Sequence, residues 1–154
     1  GACLAPQNAF LNNLGLETLG LRMQRHCSNA MELAEFLQGL GHEITVSYPG
    51  LKEHPYHEIA AKQFHGGFGA IITLRTGSKE RAFHILNELK LPWLVSNIGD
   101  TKTLVIHPSS TIAAHLSDEE KELSGVYDDM IRISVGIEDI EDLKEDFRRV
   151  IEGE

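Results

Sequence analysis

The sequence predicts one α/β-type domain, an α+β sandwich whose sheet has about five strands, mixed or mostly antiparallel, with helices layered on it. Two observations lead to this prediction. Segments with apolar residues at spacings of three and four alternate along the 154 residues with short runs rich in β-branched residues. These are the patterns of amphipathic helices and of strands. No repeat, linker or low-complexity stretch interrupts the series, so residues 1–154 are expected to form a single domain.

The first half of the chain predicts two strands and three helices. A long helix from Glu17 to about Leu40 comes first, and the glycines of "QGLGHE" end it. The strand "EITVSY", the short helix "PYHEIAAKQF", the strand "AIITLRT" and the helix "SKERAFHILNELK" follow. The glycine-rich "HGGFGA" is interpreted as a turn, because a phosphate-binding loop would precede a helix and not a strand. The apolar stripe of the first helix is Leu19, Met23, Cys27, Ala30, Ala34 and Leu37.

The second half predicts three strands and two helices. The strands "WLVSNI" and "TLVIH" flank "GDTK", a link that suits a hairpin, although a longer connection also fits. "SDEEKEL" has the capping-box pattern, with Ser117 as N-cap and Glu120 three residues later. The last strand lies in "DDMIRISVGIED", and the last helix, "DIEDLKEDFRRVIEG", is expected to be capped by Asp139. The apolar stripe of that helix is Ile140, Leu143, Phe147, Val150 and Ile151.

Composition and charge exclude several classes of protein. The formal net charge of −9, from 14 Lys and Arg against 23 Asp and Glu, argues against a nucleic-acid or anionic-membrane surface, because both need a basic footprint. No apolar run approaches the roughly 20 residues of a membrane span. The two cysteines, Cys3 and Cys27, do not form a disulfide framework. A cytoplasmic protein is therefore expected.

Neither a metal site nor a catalytic nucleophile is predicted. The nearest histidine clusters, His54 with His57 and His26 beside Cys27, lack the CxxC, HxxxH and HExxH patterns. No GxSxG occurs, and serine, histidine and aspartate are too common here to nominate one triad. A Schiff-base lysine is usually desolvated, whereas the lysines of this chain stand mostly in polar stretches. They are Lys52, Lys62, Lys79, Lys90, Lys102, Lys121 and Lys144.

Arg132 is the residue that the strand pattern singles out. In "DDMIRISVGIED" the isoleucines and Val135 alternate as one apolar face, so that Arg132, Ser134 and Gly136 point the other way. The small neighbours leave room for a guanidinium that binds a carboxylate with two hydrogen bonds. Two interpretations stay open from the pattern alone: a binding residue for an anionic ligand, and a structural ion pair with an acid such as Glu138.

Four segments resemble the C-terminal domain of the Cys/Met-metabolism family of pyridoxal-phosphate enzymes, which has fold type I. The resemblance covers nearly the whole chain, in order and in register. Within the family, "NIGDTKTL" looks like the O-acetylhomoserine sulfhydrylase (homocysteine synthase) branch, whereas cystathionine synthases and lyases more often carry "SLGG" there. The segments are "GACLAPQNAFLNNLGLETLGLRMQRHCSNAMELAEFL", "SYPGL", "NIGDTKTLVIHPSST" and "IRISVGIEDIEDLKED".

The resemblance implies the roles of two residues. It implies that Arg132 binds the α-carboxylate of the amino-acid substrate and that Asn97 lies beside that carboxylate. No catalytic, cofactor-binding or metal-binding residue is carried over. The chain departs from the family after "HPSST", where Ile112 and Ala113 replace a common threonine and histidine, and this departure bears on substrate preference.

The resemblance also implies the reaction and the partners of the full-length enzyme. Sulfide or a thiol would replace the acetate of O-acetylhomoserine, giving homocysteine or methionine, in a homo-oligomer that uses pyridoxal phosphate. The family's cofactor lysine lies upstream of this segment, so the chain alone is expected to be inactive. The alternatives are a cystathionine γ-synthase, cystathionine γ-lyase or methionine γ-lyase of the same family, and a non-catalytic module that binds an amino acid or a partner.

Overall fold

The chain folds as a five-stranded sheet with helices packed on one face, described for residues 2–41 and 44–153 in a computed structural model. The elements in chain order are α1 (Pro6–Glu17), α2 (Leu19–Leu40), β1 (Thr45–Ser47), α3 (His57–Gln63), β2 (Ile71–Arg75), α4 (Lys79–Glu88), β3 (Trp93–Leu94), β4 (Leu104–Ile106), a 3-10 helix (Pro108–Ser110), α5 (Asp118–Leu123), β5 (Met130–Ser134) and α6 (Ile140–Glu152).

The sheet is mixed, as predicted, and β5 is its central strand. The strand order is β1-β2-β5-β4-β3. The pairings of β1 with β2, β2 with β5 and β4 with β5 are antiparallel, and β3 pairs with β4 in parallel. In this register Arg132 stands between Thr73 of β2 and Ile106 of β4. The arginine therefore lies in the middle of the sheet.

The alternation in β5 separates the core from the opposite face of the sheet. Ile131, Ile133 and Val135 are fully buried among residues of α2, α4 and α6. Ile137, predicted on the same face, lies beyond the strand and is only partly buried. Burial of this apolar face is the main driving force that holds the central strand in place.

The first helix differs from the prediction at its N-terminal end. The residues before Glu17 form a further helix, α1, in which no residue is buried. In α2, Ala30, Ala34 and Leu37 face the core as predicted, whereas Leu19 and Met23 are exposed. The apolar spacing defines a stripe along the helix, but only the part from His26 onward packs on the core.

Of the two connections left open between the third and fourth strands, the hairpin is wrong and the longer connection is observed. β3 and β4 run parallel, and a two-stranded hairpin requires antiparallel neighbours. The antiparallel neighbour of β4 is instead β5. Residues 95–103 are called the β3–β4 loop from here on. They turn with Gly99 at φ 77° and carry the chain back to the end of the sheet at which β3 begins, so that β4 runs parallel to β3.

Most of the other elements agree with the predictions, but the strand predicted over residues 93–98 ends at Leu94, and the 3-10 helix is not among the predicted elements. Ser117 and Glu120 form a reciprocal capping box on α5, and Asp139 caps α6 by accepting from the Glu141 amide. The strand predicted over residues 43–48 is β1, and its Glu43 lies outside the described residues. "HGGFGA" is a turn before β2 with three glycines at positive φ. Over residues 2–41 and 44–153, none of the helices combines the length and apolarity that crossing a bilayer requires.

A candidate carboxylate-binding site at Arg132

The Arg132 guanidinium has one donor engaged and one buried donor without a partner. Its Nη2 donates to the backbone carbonyl of Asn97 in the β3–β4 loop, at 3.2 Å. Its Nε is buried and makes no hydrogen bond within residues 2–41 and 44–153. A buried N–H with no acceptor is unfavourable by about 1–3 kcal/mol. Such a group in a native fold calls for an explanation, and a ligand that supplies an acceptor is one.

The electrostatic surroundings of Arg132 also suit an anion. Burial lowers the pKa of Arg132, because desolvation disfavours the charged form. Among the described residues no carboxylate lies within ion-pair distance of this guanidinium. A carboxylate placed at Nε would both complete the hydrogen bonding and neutralise the charge.

Arg75 shows what a structural arginine on the same face looks like. It lies on β2, two residues from Thr73, the cross-strand neighbour of Arg132. Its Nε donates to the Asp129 carboxylate, and its guanidinium lies 3.8 Å from the centre of the Tyr127 ring. Arg75 is thus neutralised and stacked within the chain, whereas Arg132 is not.

The structure does not form the ion pair between Arg132 and Glu138 that the pattern left open. The Glu138 carboxylate instead accepts from Thr103, at 2.5 Å from the backbone amide and 2.9 Å from the hydroxyl. Local alternation places Glu138 and Arg132 on one side of an extended segment. It cannot show that the Glu138 carboxylate already accepts hydrogen bonds from Thr103. Of the two open interpretations, the geometry favours the ligand-binding one.

Asn97 lies beside Arg132, and the group that contacts the arginine is its backbone carbonyl. The side-chain Oδ1 of Asn97 accepts from the amide of Ile98, at 2.9 Å, and the residue is exposed. The structure therefore brings together the two residues that the sequence predicted for the site. Any contact between the Asn97 side chain and a ligand remains a prediction.

Sequence reasoning missed Ser134 and Thr103 as parts of this site. The Ser134 hydroxyl accepts from the Gly99 amide at 3.1 Å, and Thr103 carries the hydrogen bonds to Glu138. Both side chains are almost completely buried. The sequence feature that could have indicated Ser134 is its position two residues from Arg132 on the same strand face. Its hydrogen-bond partner, Gly99 in the loop, is 35 positions away in the sequence, and local patterns do not show such a pair.

The histidines of the predicted clusters serve structural contacts. Nδ1 of His26 lies 2.7 Å from the Val135 carbonyl, and Nδ1 of His57 lies 2.8 Å from the Pro49 carbonyl. Within residues 2–41 and 44–153, no three metal-ligating side chains come together.

The lysines of this chain do not fit covalent attachment of an aldehyde cofactor. All seven lie among the described residues, and five of them are exposed. The other two, Lys121 and Lys144, are partly exposed and paired with acids: Lys121 with Asp118 at 3.8 Å and Lys144 with Glu141 at 2.8 Å. None has the desolvated surroundings that lower the pKa of a Schiff-base lysine.

Comparisons with known proteins agree with the fold and the motifs. A sequence profile described as Cys/Met metabolism PLP-dependent enzyme matches residues 1–152. The chain is 43% identical over 152 residues to O-acetyl-L-homoserine sulfhydrylase 1 of Thermus thermophilus, covering 98% of this chain and 36% of the relative. It is 42% identical over 153 residues to an L-methionine gamma-lyase of Fusobacterium nucleatum subsp. polymorphum, covering 99% of this chain and 38% of the relative.

Solved structures include close matches to the whole chain. It superposes with a TM-score of 0.93 and 39% identity on a Campylobacter jejuni protein assigned as an O-acetylhomoserine (thiol)-lyase, which carries a pyridoxyl-lysine monophosphate; the match covers 99% of this chain and 36% of that one. The O-acetylhomoserine sulfhydrylase of Wolinella succinogenes matches with a TM-score of 0.85 and 39% identity, over 98% of this chain and 40% of that one. The chain thus spans well under half of the length of the relatives it matches.

Proposed function

The chain belongs to the Cys/Met metabolism family of PLP-dependent enzymes, and we propose that it is the C-terminal, substrate-binding part of an O-acetylhomoserine sulfhydrylase. The observation that carries this proposal is the buried Nε of Arg132, a cationic donor without a partner in the middle of the sheet. The C-terminal placement rests on the resemblance of four long motifs. The choice of branch rests on "NIGDTKTL", which includes Asn97 and the rest of the β3–β4 loop.

Arg132 would bind the α-carboxylate of O-acetylhomoserine. The Asn97 carbonyl already holds Nη2, so the remaining donors of the guanidinium, Nε among them, are left for the substrate. A hydrogen bond between a guanidinium and a carboxylate is charge-assisted and directional. It would fix the orientation of the amino acid before reaction, which is the step that positioning residues accelerate. Sulfide or a thiol would then replace the acetate, giving homocysteine or methionine.

Pyridoxal phosphate, when bound, would supply the electron sink for this chemistry. Because the seven lysines do not fit its covalent attachment, the cofactor site would lie outside residues 1–154, and this chain would bind the carboxylate end of the substrate. The partners in the proposal are an amino acid, sulfide or a thiol, and further copies of the full-length polypeptide in a homo-oligomer.

The role of Arg132 is tested by Arg132→Ala in the native-length polypeptide. We expect kcat/KM for O-acetylhomoserine to fall about tenfold or more, because a charge-assisted hydrogen bond contributes roughly 1.5–3 kcal/mol. The matched control is Arg75→Ala, which removes an arginine from the same face that is already paired with Asp129. Measured on the folded fraction, this control should stay close to wild type. A loss below about threefold for Arg132→Ala would show that the assigned role is wrong.

The reaction is tested by the products. Relatives at 43% and 42% identity are named for a sulfhydrylase and for a methionine γ-lyase, so identity alone does not separate them. The native-length polypeptide is supplied with O-acetylhomoserine and sulfide, with cystathionine, and with methionine. Homocysteine from the first mixture as the fastest reaction supports the proposal. Faster cleavage of methionine or cystathionine would assign the chain to a lyase of the same family.

The C-terminal placement is tested by the mass of the native polypeptide. An antibody against this chain, followed by intact mass spectrometry of the captured protein, gives its length in the source cells. A species well above the mass of 154 residues, with these residues at its C-terminal end, is the expected result. A native species of 154 residues would overturn the placement and favour a non-catalytic amino-acid-binding module.

A further inference from the structure

The segment 132–138 holds alternate residues of the β3–β4 loop. Four of the hydrogen bonds between the two segments each reach a different residue of the loop. They are Arg132 Nη2 to the Asn97 carbonyl at 3.2 Å, the Gly99 amide to the Ser134 hydroxyl at 3.1 Å, the Ile137 amide to the Thr101 carbonyl at 2.9 Å, and the Thr103 amide to the Glu138 carboxylate at 2.5 Å.

The two segments approach each other so closely that Gly136 is required by space. A Cβ built on Gly136 would lie 2.5 Å from the Thr101 carbonyl oxygen and 2.5 Å from the Thr103 amide. These are backbone atoms, which cannot move aside as a flexible side chain can. The Gly136 amide also donates to the Thr103 hydroxyl at 2.8 Å. The end of the loop is thus fixed directly against the backbone that follows β5.

The segment that follows β5 is itself held by α2. Nδ2 of Asn29 donates to the carbonyls of Gly136 and Glu138, at 3.2 and 2.9 Å. Nδ1 of His26 lies 2.7 Å from the Val135 carbonyl. Both side chains are buried on the part of α2 that packs on the core. The segment that contacts the loop is therefore itself held by buried side chains of α2.

We propose that Ser134 is a positioning residue for the carboxylate site and acts on Arg132 through the β3–β4 loop. This inference rests on the function proposed above for Arg132. The Ser134 hydroxyl holds the Gly99 amide, two residues from Asn97. The position of Gly99 determines where the Asn97 carbonyl stands, and that carbonyl engages Nη2. With Nη2 engaged, the guanidinium is held in the orientation in which the buried Nε has no partner among the described residues.

Ser134→Ala tests this role in the native-length holoenzyme. The probes are L-norleucine, which has no leaving group, and its carboxamide, which lacks the carboxylate. Calorimetry gives the affinity for each, and hydrogen exchange with mass spectrometry reports on peptides that cover residues 95–103. We expect faster exchange in the loop and an approximately tenfold weaker affinity for norleucine, as for the loss of one hydrogen bond to a charged group. The affinity for the carboxamide, which has no carboxylate for Arg132, should change less than twofold.

The matched control is Thr76→Val. Thr76 is as buried as Ser134, and its hydroxyl bonds the carbonyls of Ser78 and Asp129 near the opposite end of β5. This variant should leave the ratio of the two affinities unchanged. Glu138→Gln is a second variant, for the case in which Ser134→Ala does not fold, and it alters the hydrogen bonds between Glu138 and Thr103 of the β3–β4 loop. It keeps one carbonyl oxygen for the Thr103 amide but removes the charge, and we expect a smaller change in the same ratio.

Two results would overturn the proposal. One is an unchanged norleucine affinity in Ser134→Ala, or in Glu138→Gln where the serine variant does not fold. The other is an equal loss for norleucine and the carboxamide, which would mean general destabilisation. Arg132→Ala, measured with the same pair of probes, separates this failure from failure of the proposed function. If Arg132→Ala weakens norleucine binding and Ser134→Ala does not, only the positioning role of Ser134 is wrong. If neither variant weakens norleucine binding, the function proposed for Arg132 is wrong too.

Discussion

Replacing Arg132 by methionine should stabilise the fold while removing ligand binding. The substitution keeps an unbranched side chain of similar length in β5, next to Ile106 and Thr73. It removes a buried Nε that has no hydrogen-bond partner and a guanidinium that no acid neutralises within the described residues. A binding residue of this kind is unfavourable for stability until its ligand is present.

The expected magnitude follows from two opposing contributions. Removing the unsatisfied buried donor gains about 1–3 kcal/mol, and losing the hydrogen bond from Nη2 to the Asn97 carbonyl costs about 1 kcal/mol. The free energy of unfolding should therefore rise by about 1 kcal/mol. For a domain of this size that corresponds to a rise in Tm of about 2–4 °C.

Urea unfolding of wild type and Arg132→Met, without ligand and with saturating norleucine, measures this effect. Norleucine should stabilise the wild type and leave the variant unchanged, because only a ligand that binds the native state raises its stability. Arg75→Met is the matched control and should lower stability, because Arg75 is paired with Asp129 and stacked on Tyr127. A variant at position 132 that is less stable than wild type by about 1 kcal/mol would refute the reasoning, since Arg132 would then behave like Arg75.

Two further predictions concern the supports of the site. Gly136→Ala should lower the free energy of unfolding, measured by urea titration, by about 1–3 kcal/mol, because the new Cβ would clash with the backbone of the β3–β4 loop. The control is Gly39→Ala in α2, which has open space around it and should be neutral or stabilising in the same titration. Asp146→Ala should cost about 3 kcal/mol at neutral pH, because it leaves the partly buried amides of Lys90 and Leu91 without the carboxylate that accepts both at 2.8 Å. Burial alone would raise the pKa of Asp146, but the hydrogen bonds outweigh it and hold the pKa below its ordinary value. The stability from Asp146 is therefore complete above about pH 4 and is lost as the pH falls through the lower folded pKa, so the difference between wild type and variant should shrink in acid. A difference that stays constant from pH 7 to pH 2 would contradict this assignment.

Much of the candidate site could be predicted from the sequence because it depends on local periodicity. Alternation in "IRISVG" places Arg132 and Ser134 on one face of a strand and the isoleucines on the other, and the structure has this arrangement. The resemblance to a family implied that Asn97 lies beside the substrate carboxylate, which stays a prediction; the structure shows its backbone carbonyl in contact with Arg132. The contribution of Asn97 through its backbone carbonyl could not be predicted, since any residue type carries that group.

The chain by itself determined most of the helices and strands, with α1 as an exception, where Ser117 and Asp139 cap their helices, and on which face of its strand Arg132 stands. These features follow from interactions between residues a few positions apart. Only the tertiary structure decided that β3 runs parallel to β4, that α2 is buried only from His26 onward, and that the Glu138 carboxylate accepts hydrogen bonds from Thr103. Each of these depends on contacts between backbone and side-chain groups far apart in the chain, and the spacing of neighbouring residues does not record those contacts. Among the described residues the Nε of Arg132 remains without a partner for the same reason, because Glu138, the acid that alternation places on its side, accepts from Thr103 of the loop instead.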